Sequence, residues 1–298
     1  MTANSPPSTM LLRTAGGCDL QPARLLDAVA DQRRLLLDDL RGFGPQEWSA
    51  STRCPGWSVH DTVRHMSDVT RAIAADPGDR TLDMSAGFDP RITPNRWLAA
   101  SAGEPPAATV DRLAATTDEV LAVARGRLAR DERFDVALPF GPMDWTVLVL
   151  HVLWDSWLHE RDIFLALGVN RPTSYAEPTS YAEPTSYAEP TSTAEPTSYA
   201  TAYGLLIAAA VARRFGDRVS HRLALGGTGG GIFELDTDDA VTLTVTSTPA
   251  AGPPAAEVTD ALAGRGSAAV LDAVPGGART ALTHLATFFT TPVEETAV

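Results

Sequence analysis

Lysine is absent from this 298-residue chain, whose 24 basic side chains are all arginine. Without lysine there is no Schiff-base chemistry, no lysine general base and no P-loop lysine. The glycine-rich GGTGGG at 226–231 is therefore no Walker loop; it stands between two strand-like runs and reads as a turn. Lysine codons are AT-rich and those of Ala, Gly, Pro and Arg are GC-rich, so the composition points to a GC-rich bacterial gene. Cysteine is scarce as well. Cys18 and Cys54 are too few for a disulfide framework or a thiolate zinc cluster, and they read as reduced thiols in a reducing compartment. No apolar run reaches the roughly 18–20 residues of a spanning helix, and the N-terminus lacks the basic-then-apolar order of a signal peptide. A cytoplasmic protein with no membrane partner is expected. Positive charge is also in short supply: the net charge is −13 and the pI about 4.8. With no basic stripe to release counterions, nucleic acid is not an expected partner.

What is present suits a globular protein of two ordinary domains, with 44% hydrophobic and 20% charged residues. Helical spacing of Leu25, Leu26, Val29, Leu35, Leu36 and Leu40 predicts a first helix over 20–43. After a loop rich in Gly, Pro and Ser, Ser58 with Asp61 three residues on forms a capping-box start for a helix over 59–75. A polar connection over 76–105 leads to a third helix over 107–130. The fourth runs from Asp144 as N-cap to Gly168 as C′ residue and is apolar on nearly every side, as a helix surrounded by others would be. The expectation is a multidomain α and α+β protein opening with a four-helix bundle over 18–170.

From Pro172 the chain repeats PTSYAE, with Thr193 replacing one tyrosine. Proline every six residues opposes a regular helix or central strand, so 171–200 reads as a linker lengthened by tandem duplication. Beyond it, a helix over 201–216, strands over 221–227, 231–238 and 240–247, and helices over 261–274 and 277–289 describe a small α+β domain over 201–292.

The chemistry concentrates in HVLWDSWLHERD, residues 151–162. His151, Asp155, His159 and Asp162 recur every three or four residues and form one polar stripe on an otherwise apolar helix. Unpaired in a core, such groups cost about 1–3 kcal/mol each, so something must satisfy them. His151 and His159 are two turns, roughly 12 Å, apart and cannot share an ion. Either His151/Asp155 or Asp155/His159 can supply a divalent metal with two ligands. Asp162 favours the second pair, because it can accept the spare ring N–H of His159. His65, in DTVRHMSD, flanks an apolar stripe and is the candidate third ligand. The alternative is a set of core residues satisfied by one another.

The segment EWSASTRCPGWSVHDTVRHMSD, with its Trp–Pro-Gly-Trp loop entering a histidine-bearing helix, resembles the mycothiol-dependent maleylpyruvate isomerase family of the DinB-like superfamily. DSWLHERDI matches the family's carboxylate-x3-His helix ending in Asp, and Gly264-Arg265 matches a Gly-Arg pair in its C-terminal sterol-carrier-like module. The resemblance implies zinc or another divalent metal on His65, Asp155 and His159. It also implies mycothiol, a thiol of GC-rich actinobacteria, as cosubstrate, and a small electrophilic substrate whose carboxylate Arg265 holds as a catalytic residue. The implied activity is cis–trans isomerisation or mycothiol S-transfer, with metal or thiol binding without catalysis as the rival. The family's carboxylate is commonly Glu; Asp155 departs from it, which leaves a role open for His151. A monomer or weak homodimer is expected.

Overall fold

The computed structural model describes residues 10–14, 22–74, 89–132, 134–136, 142–169, 194–246 and 250–290. Four long helices follow the apolar spacing: α1 (Pro22–Arg41), α3 (Val59–Ala74), α5 (Pro106–Ala129) and α6 (Trp145–Ala166), with a short α2 (Pro45–Ser49) between the first two. Both α1 and α3 pack on both α5 and α6, which closes the four-helix bundle. The expected caps are present. The Ser58 backbone N–H donates to Asp61 at 2.9 Å and the Asp61 N–H to Ser58 Oγ at 3.1 Å. Asp144 accepts from the Thr146 N–H at 2.8 Å, and α6 ends at Gly168 with φ of 65°. Within 76–105 a helix was not foreseen: α4 (Thr93–Ala100) begins TPNR, where Pro94 in the first turn needs no N–H partner. Arg64 on α3 ties it down through the Leu98 carbonyl at 2.9 Å.

The C-terminal unit is a helix layer on a sheet. Strands β4 (Ser220–Leu225), β5 (Gly231–Asp236) and β6 (Val241–Thr246) form an antiparallel meander whose side chains alternate between buried and more accessible. The sheet continues on the far side of β6. There β1 (Met10–Thr14) lies parallel to β6, followed by the two-residue strands β3 (Met143–Asp144) and β2 (Asp135–Val136). Local patterning carries no trace of this pairing, because its partners are some 230 residues apart in sequence. GGTGGG is the β4–β5 turn, with Gly227 and Gly229 at positive φ.

Helix α7 (Ala194–Arg214) starts seven residues before the expected 201 and absorbs the end of the PTSYAE tract. Pro196 is tolerated because the first turn of a helix has no intrahelical acceptor for its N–H. Tyr199 and Thr197 are buried, and Thr197 accepts from Trp157 Nε1 of α6 at 3.1 Å. The expected linker thus has its last seven residues, 194–200, in a helix; residues 170–193, like Cys18, lie outside the described residues. Helix α7 packs on α6, on the sheet and on α9 (Gly276–Thr290), so one continuous core runs from Leu153 through Leu205 to Phe233 and Leu243.

The helix expected over 261–274 is instead broken. Helix α8 (Ala255–Leu262) ends in a Schellman motif: Arg265 N–H reaches the Asp260 carbonyl at 2.8 Å and Gly264 N–H the Ala261 carbonyl at 3.0 Å. Gly264 and Gly266 take φ of 72° and 67°, which a helix cannot absorb, and a 3-10 turn over Ala268–Ala273 follows.

An ion cluster joins α3 to the start of α5. Arg112 donates to both oxygens of Glu104 at 2.8 Å and to Asp68 at 2.6 Å. Arg112, with Thr109, outweighs burial and lowers the Glu104 pKa. A depressed carboxylate contributes stability that is complete above its unfolded pKa, near 4.5, and lost as pH falls through the folded value. The melting temperature of Glu104→Gln is therefore expected to lie below wild type at pH 7 and to converge on it toward pH 3. A gap that stays constant over that range contradicts the assignment.

Candidate metal and substrate site

Residues four apart on α6 and one residue of α3 meet at the edge of the bundle. Nε2 of His65 and Nε2 of His159 lie 3.3 and 3.5 Å from the same oxygen, Asp155 Oδ1. All three side chains are buried, and their ligand-type atoms lie within 4.8 Å of one another. Trp57 covers both rings, its centroid 4.8 Å from that of His65 and 6.0 Å from that of His159. Its indole N–H is anchored to Asn95 of α4 at 2.9 Å, so the unforeseen helix roofs the site.

The site's second layer centres on Asp162, whose side chain is fully buried. It lies 3.1 Å from His159 Nδ1, 3.0 Å from Cys54 Sγ and 3.2 Å from Arg265 Nε, and Arg53 Nε is 3.4 Å away. With Nδ1–H donated to Asp162, His159 keeps its Nε2 lone pair for the Asp155 side. Arg265 also donates to Cys54 Sγ at 3.1 Å and to the Ala263 carbonyl at 2.7 Å. A second clamp joins the two halves of the chain, as Asp260 of α8 accepts from Arg161 at 2.6 Å and from Arg53 at 3.3 Å.

Electrostatics follow the geometry. Burial alone would raise Asp155, but His159 and His65 hold it well below the carboxylate range. Burial disfavours a charged His159, yet Cys54, Asp155 and Asp162 raise its pKa well above the imidazole norm. His65 is lowered by burial. His151 is also lowered by burial, to about 4, and stays neutral.

Among the described residues two clusters have ligand-type chemistry, and they differ in charge. Cys54, His159 and Asp162 already hold the Arg265 and Arg53 guanidiniums, which would repel a dication. His65, Asp155 and His159 contain no such cation and leave buried atoms without a hydrogen-bond partner, His65 Nδ1 and Asp155 Oδ2. Zinc–nitrogen bonds of about 2.0–2.1 Å at tetrahedral angles set ligand atoms about 3.3 Å apart, close to the separations found. These residues fit a divalent ion. His151 belongs to neither cluster; its Nδ1 is 2.9 Å from the Tyr203 hydroxyl of α7.

A cavity of about 330 Å³ opens beside the triad, between α6, α7, the α8 turn and the loop before α3. Cys54, His151, Trp154, Tyr203 and Arg265 are among the residues that line it. Trp57, Trp154 and Cys54, to which the sequence analysis assigns no role in the site, all line this cavity. Tyr203 carried no signal at all, since one tyrosine in an alanine-rich helix reads as packing. His60 and His284 lie outside the site and have partners of their own, Thr109 at 2.9 Å and Asp217 at 2.8 Å.

Residues 23–164 match the family model described as mycothiol maleylpyruvate isomerase N-terminal domain. The match covers the bundle and ends before α7. No curated protein and no solved structure matches the chain. Among the described residues no helix is long and apolar enough to cross a membrane.

Proposed function

Through residues 23–164 the chain belongs to the mycothiol maleylpyruvate isomerase N-terminal domain family, and on that premise we propose that it is a metal- and mycothiol-dependent enzyme acting on a small electrophile. The observation that carries the reading is the convergence of His65, Asp155 and His159 on one point at the wall of a cavity. These three would hold the ion, zinc by their chemistry. A divalent ion there supplies the Lewis acidity that keeps a thiol deprotonated at neutral pH.

The chain's own residues orient the reaction. Asp162 fixes the His159 ring and holds Arg265 against the cavity, where Arg265 faces the substrate from the C-terminal side. Trp57 and α4 exclude water from the triad. The thiolate sulfur bonds to the electrophilic carbon while the π electrons of an activated double bond move onto the conjugated carbonyl. In an isomerase the chain rotates about the resulting single bond, and the C–S bond breaks to return the thiolate and the trans alkene. In an S-transferase the adduct takes up a proton, or loses a leaving group, and departs as a thioether. Both outcomes use the same first step. A cytoplasmic setting is consistent with mycothiol as a cosubstrate.

The test is metal analysis of the purified protein, followed by electrophile turnover with mycothiol. About one equivalent of zinc is expected, with mycothiol-dependent loss of maleylpyruvate absorbance or formation of a thioether. Zinc and mycothiol binding without turnover of any electrophile would instead establish a binding protein, and absence of both would end the reading.

A further inference from the structure

We infer that His151, braced by Tyr203, is a further catalytic residue: its Nε2–H donates to the carbonyl oxygen of the electrophile, onto which negative charge moves when the thiolate adds. This rests on the proposal that a thiol adds to a small electrophile in the cavity, and it adds one residue to that reaction.

Helix packing builds the pair. Tyr203 of α7 is buried, and Gly204 beside it lets α7 lie close on α6 and α8: a Cβ there would come 3.3 Å from Leu262 and 3.4 Å from Trp154 Nε1. The rings of His151, Trp154 and Tyr203 pack on one another, with centroids 5.3, 5.6 and 5.7 Å apart. The imidazole is thus held in place, and its Nδ1 lies 2.9 Å from the Tyr203 hydroxyl.

A hydrogen-bond count then places the ring proton. Among the described residues Nδ1 of His151 is the one partner of the Tyr203 hydroxyl. If Nδ1–H were the donor, the buried O–H would be left without an acceptor, at a cost of about 1–3 kcal/mol. If the O–H donates to Nδ1, both atoms are satisfied and the ring proton sits on Nε2. Burial lowers the His151 pKa to about 4, which suits a neutral ring. A charged ring would carry Nε2–H as well, so the donor is present in either state. Nε2 has no partner among the described residues, and the ring lines the cavity.

The donor is also within reach of the reaction. His151 is one turn before Asp155 on the same face of α6, about 5–6 Å away at Cβ. In a conjugated carbonyl compound the oxygen is three bonds from the carbon under attack. An electrophile lying along α6 with that carbon beside the triad therefore presents its oxygen to His151. As the C–S bond forms, the alkene electrons become the new C=C of an enolate and the carbonyl π pair moves to oxygen. Nε2–H donates to that oxygen without giving up its proton, and the bond strengthens as charge builds. When the C–S bond breaks, the same electrons return.

Three measurements on the full-length protein test this. Nitrogen NMR should show His151 with Nε2–H and a hydrogen-bonded bare Nδ1, and Tyr203→Phe should move the Nδ1 signal to that of an unbonded ring nitrogen. The infrared carbonyl band of bound, isotope-labelled acetophenone should lie below its position in hexane in wild type. It should do so in His151→Gln too, whose amide N–H replaces Nε2–H, and return toward the hexane position in His151→Leu. With mycothiol and maleylpyruvate, His151→Leu should lower kcat about 10²–10³-fold, the cost of one lost oxyanion donor, with KM and bound metal little changed. His151→Gln should recover part of that loss. A wild-type ring protonated at Nδ1 alone overturns the inference without any variant. So does an acetophenone band that is absent or unshifted in wild type or the same in His151→Leu, and so does an unchanged kcat in His151→Leu. The two spectroscopic readouts need neither thiol nor turnover. If they hold while no electrophile reacts, the thiol-dependent reading fails and His151 stands as a carbonyl-binding group; if electrophiles react while they fail, His151 alone loses its role.

Discussion

His159→Ala protein, purified beside wild type, is expected to lose its bound metal, with affinity lowered by more than the roughly 10–100-fold that loss of a supporting partner costs. His65→Ala should behave in the same way, for the same reason. Each variant removes one of two nitrogens that face Asp155 Oδ1 at 3.3 and 3.5 Å, leaving two ligands where a stable mononuclear site uses three. His151→Ala is the control. His151 is on the same face of α6, but its Nδ1 is turned to Tyr203, and it shares no three-atom cluster with Asp155. It should keep its metal. Inductively coupled plasma mass spectrometry after dialysis against a weak chelator reads all three. Full retention in both His65→Ala and His159→Ala would sink the ligand set. Loss in His151→Ala alone would restore the pair that spacing had left open. The experiment also addresses Asp155, whose arm is shorter than the glutamate usual in the resembling family. In the structure α3 brings His65 close enough that the shorter carboxylate still meets both rings, without recruiting His151.

The parts of this site that could be read from sequence are those set by helix geometry. Asp155 and His159 fall on one face because residues four apart stack, and Asp162 meets the His159 ring because three residues complete that turn. The capping box at Ser58 and the C′ glycine at 168 are likewise local, and both helix ends are where those residues predict. Tertiary contacts left no such trace. Cys54 meets Asp162 across 108 residues and Arg265 across 211, and Tyr203 meets His151 across 52. Position 265 was reached by resemblance, while helical spacing over 261–274 pointed the other way. The apolar periodicity there continues through Gly264 and Gly266, but their left-handed backbone ends the helix and turns Arg265 toward the bundle. Proline misled in both directions. It suggested loop at Pro94 and at Pro196, yet both lie in first turns, where a missing N–H costs nothing.

Asp162→Ala is expected to be the most damaging single change, because one buried carboxylate serves two purposes. Its side chain has no solvent exposure, while Arg265 and Arg53 beside it are about one-fifth exposed. Removing it leaves mostly buried Arg265 without a carboxylate, Arg53 with Asp260 alone and a charged His159 with Asp155 alone, and breaking a buried pair in this way costs about 3–5 kcal/mol. The sign of the pH dependence follows from the depressed Asp162 pKa, lowered despite burial by His159 and Arg265. Its contribution is complete above the unfolded carboxylate pKa near 3.8 and is lost only as pH falls below it, so measurements at pH 7 see all of it. Urea unfolding followed by tryptophan fluorescence should show the loss as a lower midpoint at pH 7, with the gap to wild type closing toward pH 2. Asp162→Asn separates the two purposes. An amide oxygen still accepts from Arg265 or from His159 Nδ1–H, so much of the packing survives. The charge that fixes the ring tautomer does not, and metal affinity should fall about 10–100-fold. Stability of Asp162→Ala within about 1 kcal/mol of wild type, the range of an exposed ion pair, would mean that Arg265 and His159 are satisfied elsewhere. The coupling between the metal ligands and the C-terminal turn would then have to run through Asp260 instead.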